Sequence, residues 1–176
     1  MASPARFAPR HFSRSVTLSG MPKWNKGSQV IERLLEARQL QRVPTNAATV
    51  EGLLESARRH VATGRTATTN DPEGSFSLAY DAARKAASAL LAHQGLRGTT
   101  AGGHIVIVEA MNAQFPGVAG LKSIDRLRRR RNQAEYPDPA NYDPVTSEES
   151  EDALIVATDC VEAASRLIAA PQLGVF

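Results

Sequence analysis

The chain has 176 residues, 42% hydrophobic but only 5% aromatic, with a formal net charge of +3 and a pI near 9.3. That length suffices for one domain with a real core, and an apolar fraction dominated by alanine favours closely packed helices over sheets. A single cysteine, Cys160, excludes an internal disulfide; no cysteine–histidine spacing suggests zinc, and no apolar run is long enough to span a bilayer, so a cytoplasmic protein with no membrane segment, metal or cofactor is expected.

Residues 1–25 carry Pro4, Pro9 and Pro22 among serines and Arg6, Arg10 and Arg14, without a sustained apolar period. This segment reads as a disordered basic extension, with three alternatives: a transit peptide, a leader ahead of a start at Met21, or an arm that touches nucleic acid. A helical domain is expected over residues 26–170, and 171–176 as a tail. Its first helix runs from Trp24 to Leu40, with Val30, Leu34, Ala37 and Leu40 on one side. Thr49 can cap a second, striped by Val50, Leu53, Leu54, Ala57 and Val61, with His60 at the stripe's edge as a surface histidine. Gly64 to Gly74 reads as a loop.

From Ser75 to Gln94, Phe76, Ala79, Tyr80, Ala83, Ala87, Leu90 and Leu91 share about a third of the helical wheel, and Gly95 supplies the stop. His93 lies off that stripe, where the helix dipole favours its cation. Gly102 and Gly103 precede Ile105-Val106-Ile107-Val108, a run of strand-like composition. With no second strand to pair with it, Gly103 to Phe115 is expected to be helical; the glycines match no nucleotide-binding pattern. Pro116 and Gly117 close it.

The next helix carries the charge. In Leu121 to Tyr136, Leu121, Ile124, Leu127 and Ala134 form one face, and Arg131 falls in the middle of it. Arg126, Arg129 and Arg130 project elsewhere as a solvated flank. A guanidinium on an apolar face cannot lose its proton and needs a partner. Two readings stay open: an ion pair with Glu135 at i+4, or a cleft in which Arg131 binds a phosphate. Pro137 ends the helix at Tyr136, beside Asn132 and within reach of that cleft. After a proline-stiffened loop over 137–144, Thr146 and Glu149 form a capping box for a last helix with Leu154, Ala157, Thr158, Val161, Ala164, Ser165 and Ile168 inward. Cys160 packs near that stripe, and nothing nearby would activate it.

Three segments together resemble the HEPN superfamily of helical bundles. Ala79 through Arg97 is similar to the HEPN core helix and its glycine exit, Leu127 through Tyr136 to the signature helix, and Thr146 to Ile168 to the closing helix. The resemblance implies an all-α, up-down bundle of about five or six helices covering roughly residues 45–170. It implies a homodimer in which two signature helices meet, and a component of a bacterial toxin–antitoxin or defence module. Within that pattern Arg131 would hold the scissile phosphate of RNA, Asn132 would orient it, and Arg128 and Lys85 would add RNA contacts. Tyr136 stands where the shortest HEPN signature places a histidine. Metal-independent cleavage needs a base for the ribose 2′-hydroxyl, and an unperturbed tyrosine titrates too high to serve. The resemblance therefore implies an RNA-facing cleft with a degenerate ribonuclease signature. Its alternatives are an active endoribonuclease, or an interaction module for a nucleotidyltransferase partner that modifies Tyr136 or Tyr142.

Overall fold

Residues 23–176 are described by a computed structural model of the chain; the first 22 positions of the expected basic extension lie outside the described residues. In chain order the elements are α1 (Ser28–Glu36), β1 (Leu40–Arg42), α2 (Ala47–Ala67), α3 (Pro72–His93), β2 (Leu96–Gly98), α4 (Ile105–Gln114), α5 (Ile124–Glu135) and α6 (Ser147–Ala169). A 3-10 turn, Leu121–Ser123, leads into α5. The all-α bundle expected from composition and periodicity is what forms. Among the described residues no helix is long and apolar enough to cross a membrane.

The bundle is organised around α3, whose Ala79, Ala82, Ala83, Ala86, Ala87 and Ala89 are fully buried. Methyl side chains let α2 and α6 approach it closely, and both pack along much of its length. Gly64, which the sequence places in a loop, lies inside α2. A Cβ there would come within 2.8 Å of Leu154 Cδ2, so the glycine marks where α2 and α6 touch. The link to α3 is correspondingly short. Asp71 accepts from the Gly74 amide at 2.9 Å and Pro72 opens the helix, a cap-and-proline start three residues ahead of the expected one. The cap of α2 is likewise Asn46, whose Oδ1 accepts from Ala48 and Thr49 amides at 2.9 and 3.2 Å, rather than Thr49.

Several other expectations change in form. The first helix stops at Glu36 because Arg38 turns the backbone with φ +55, and Leu40 reaches the core from a strand instead. That strand pairs antiparallel with β2, Leu40 opposite Gly98 and Arg42 opposite Leu96. The run Ile105 to Val108 is helical, as expected, and opens α4. Residues 173–176, read as a tail, are packed. Leu173 is buried, the Phe176 amide donates to the Gln94 carbonyl at 3.0 Å, and Trp24 N–H donates to Val175 O at 2.9 Å. Trp24, within the stretch read as an extension, stacks on Phe115 at 5.6 Å. Apolar side chains at both ends gain more by covering the core than by remaining in water.

Helix α6 opens on the expected capping box: Glu149 N–H donates to Thr146 Oγ1 at 3.1 Å, and Thr146 N–H to Glu149 Oε2 at 3.0 Å. Helix α5 ends at Tyr136, as Pro137 requires.

Candidate functional site

Five arginines of α5 divide by angle around the helix. Ile124 and Leu127 are its buried residues, and Arg128 and Arg130 flank them on opposite sides, about 160° apart at 100° per residue. Arg130, expected in solvent, is the most covered, its side chain only 14% exposed. Its Nε and Nη2 meet the two Glu149 carboxylate oxygens at 2.9 and 3.0 Å, and Nη1 lies 3.4 Å from Asp143 Oδ2. This bidentate clamp ties α5 to the start of α6. The partners are 13 and 19 residues away on other elements, so no helical period in α5 reveals them. Arg128 and Arg129 share Asp125 at 2.9 and 2.8 Å. Burial pushes the Asp125 carboxyl up, but hydrogen bonds from both arginines outweigh it and hold it below its ordinary value. Arg126 is exposed.

Arg131 is turned inward in part, its side chain 28% exposed, with Nη2 2.5 Å from Glu135 Oε2. The ion-pair reading of the sequence is therefore realised. The cleft it was to share with Tyr136 is not. Tyr136 is 76% exposed and lines a shallow groove with Arg130, Gln133, Pro137, Asp138 and Asn141. Five helical positions separate the two residues by about 140°. The chain then leaves the helix at Tyr136 with φ −127 and ψ 68, which carries the phenol toward the 138–143 loop. Asn132 is exposed. Arg131, Asn132 and Tyr136 thus form no common site within one chain.

The Arg131 guanidinium also acts electrostatically on a different tyrosine. Tyr80, on α3, is 1% exposed, and its hydroxyl has no hydrogen-bond partner. Burial pushes this phenol up to about 12 against the opposing pull of the Arg84, Arg128 and Arg131 guanidiniums, with Asp81 adding to the rise. An orphaned buried hydroxyl costs free energy unless something meets it. Against its ring, at 5.7 Å and 50°, lies His104. This histidine immediately precedes α4, placed there by the Gly102-Gly103 turn. A Cβ on Gly102 would fall 2.9 Å from the Gln39 carbonyl oxygen, and Gly103 has φ +54. Burial lowers the His104 pKa, and Arg84 lowers it further, so the imidazole is mostly neutral at pH 7. Arg84, one turn beyond Tyr80, holds Asp81 through Nε at 3.1 Å and Nη2 at 2.9 Å.

A second histidine continues the strip on α2. His60, read as a surface residue, has a buried Nδ1 without a partner, and its pKa is lowered first by burial and then by Lys85. Among the charged side chains, Lys85 acts most strongly on His60. His93 is elsewhere, with Nε2 3.2 Å from the Leu173 carbonyl oxygen. The buried Cys160 thiol is pushed up to about 12 by burial, which makes it unreactive.

The strip thus runs from His60 and Lys85 on α2 and α3, over Asp81 and Arg84, to Tyr80, His104, Arg131 and Arg128. Sequence reasoning passed over Tyr80, Arg84 and His104 as site residues. The available signals were a lone phenol in an alanine stripe with an arginine four positions on, and a histidine after paired glycines at a helix start. No family model, curated protein or solved structure matches the chain.

Proposed function

We propose that this protein is an RNA-facing helical protein of the HEPN kind whose phosphate seat is built from Arg84, Arg128, Arg131 and His104 over Tyr80. The observation that carries the reading is that Arg84, one turn from Tyr80, and His104, packed against the Tyr80 ring, line one cavity together. Planar guanidiniums bind phosphate bidentately. The likeness of α3, α5 and α6 to HEPN segments supports a homodimeric component of a toxin–antitoxin or defence module. Proton transfer in a metal-independent cleavage would fall to His104, neutral near pH 7 and so available as a base, not to Tyr136.

Fluorescence anisotropy with labelled RNA in EDTA tests this reading. Arg84→Ala and Arg131→Ala should each weaken binding about tenfold, the worth of a charge-assisted hydrogen bond. Each should also reduce the salt slope by about 1. Tyr80→Phe should stabilise the free protein by about 1 kcal/mol, because an unsatisfied buried group is removed. Binding indifferent to salt, or unchanged in the Arg84→Ala/Arg131→Ala double variant, rejects the seat. In the same samples, any cleavage should vanish in His104→Ala.

The exposure of Tyr136 favours a second reading, in which its phenol is the acceptor for a partner nucleotidyltransferase. Mass spectrometry after incubation with that partner and a nucleoside triphosphate should map the added nucleotide to Tyr136. Modification confined to other residues refutes it.

A further inference from the structure

A cavity of about 790 Å³ lies between α2, α3, β2 and the start of α4. Arg84 and His104 belong both to its wall and to the strip over Tyr80, so the two are continuous. Its accessible apolar surface comes from Val43, Pro44 and Leu53, over a floor in which Leu91, Leu96 and Ile107 are nearly buried. Hydroxyl and amide groups of Thr49, Ser88 and Asn46 interrupt it. A further cation comes from β2: Arg97 is exposed and has no carboxylate partner among the described residues.

An apolar surface, a few hydroxyls and a cationic wall match a flat heterocycle joined to a phosphate. Pockets of this size enclose a ligand of one nucleotide, and a base needs both an apolar stacking surface and edge partners. A paired base, stacked between its neighbours, could not enter. The other large groove, about 610 Å³ between α3, α5 and α6, mixes Lys122, Arg126 and Arg129 with Asp125, Glu149 and Asp152, and so matches no ligand of single charge.

We infer that this cavity seats one unpaired nucleotide of the RNA, its base against Val43, Pro44 and Leu53 and its phosphate on Arg84 and His104. The inference rests on the RNA reading of the strip and adds to it the selection of single strands. Arg97 would hold the next phosphate along the strand.

The test compares a labelled single strand with its fully paired duplex on the full chain, alongside titration with AMP, GMP, CMP and UMP followed by ligand-observed NMR. The single strand should bind at least tenfold tighter than the duplex. At least one mononucleotide should bind at millimolar concentration, with inorganic phosphate at least tenfold weaker. Leu53→Trp, which fills the cavity, should abolish both preferences while salt-dependent binding that requires Arg131 persists. Should that variant misfold, Arg97→Ala, at an exposed position, should lower single-strand affinity several-fold and leave the duplex unaffected. Equal affinity for the two RNA forms, or preferences unchanged in both variants, overturns the cavity while leaving the strip standing. Absence of any salt-dependent RNA binding by the wild type removes the strip and the cavity together.

Discussion

Gly120→Ala should lower the unfolding free energy by about 4 kcal/mol, a large share of the stability of an ordinary domain. Two costs add at this position. Gly120 has φ +81 and ψ −63, a conformation an L side chain adopts only under strain. A Cβ there would also lie 2.6 Å from Cys160 N and 2.8 Å from Asp159 C, both backbone atoms of α6 that cannot turn aside. The turn before α5 would have to lift from α6, and with it the helix that carries Arg128 and Arg131. Thermal melts should show a fall of roughly 8–16 °C for a chain of this size. Gly117→Ala is the control. Gly117 shares a positive φ of +79 but a Cβ would meet nothing within 4 Å, so only the backbone strain, about 1 kcal/mol, should appear. Equal losses in the two variants would show that the contact with α6 contributes nothing.

Glu149→Ala should cost about 2–3 kcal/mol, since this one carboxylate serves two structures. It closes the capping box with the Thr146 amide and receives both prongs of Arg130. Its removal leaves a largely buried guanidinium with only Asp143 and nearby carbonyls. The hydrogen bond from Arg130 is the chief reason that the Glu149 carboxyl is held below its ordinary 4.5. The folded protein thus keeps it ionised where the unfolded chain takes up a proton. The resulting stabilisation is complete above about pH 4.5 and is lost as pH falls through the lower folded value. Urea melts across that acid window should show a steeper loss for the wild type than for Glu149→Gln. Parallel pH profiles would mean the pair contributes no net stability.

The parts of this fold that were legible in sequence are those whose cause is local. Thr146 with Glu149 announces the start of α6, Pro137 its predecessor's end, and a strand-like run without a partner becomes α4. The misplaced parts depend on distant residues. The three-residue strands β1 and β2 exist only because they pair across more than fifty positions, too short to leave an alternating pattern. Gly64 reads as a loop former until Leu154 is brought against it. The candidate site divides the same way. That Arg131 sits on the inward face with Glu135 one turn away follows from helical spacing. That Arg130 is covered, and that Tyr136 turns from Arg131 toward the 138–143 loop, depends on how α5 meets α6 and that loop.

Every guanidinium over Tyr80 already holds a carboxylate of its own: Arg84 has Asp81, Arg128 has Asp125 and Arg131 has Glu135. An anion arriving there exchanges with a tethered competitor instead of filling an empty charge. The surface therefore behaves like an ion-exchange resin supplied in its carboxylate form. Dilute inorganic anions, arriving singly, displace little, whereas a polymer bringing several negative groups at fixed spacing evicts the resident acids together and sets a threshold on ligand length.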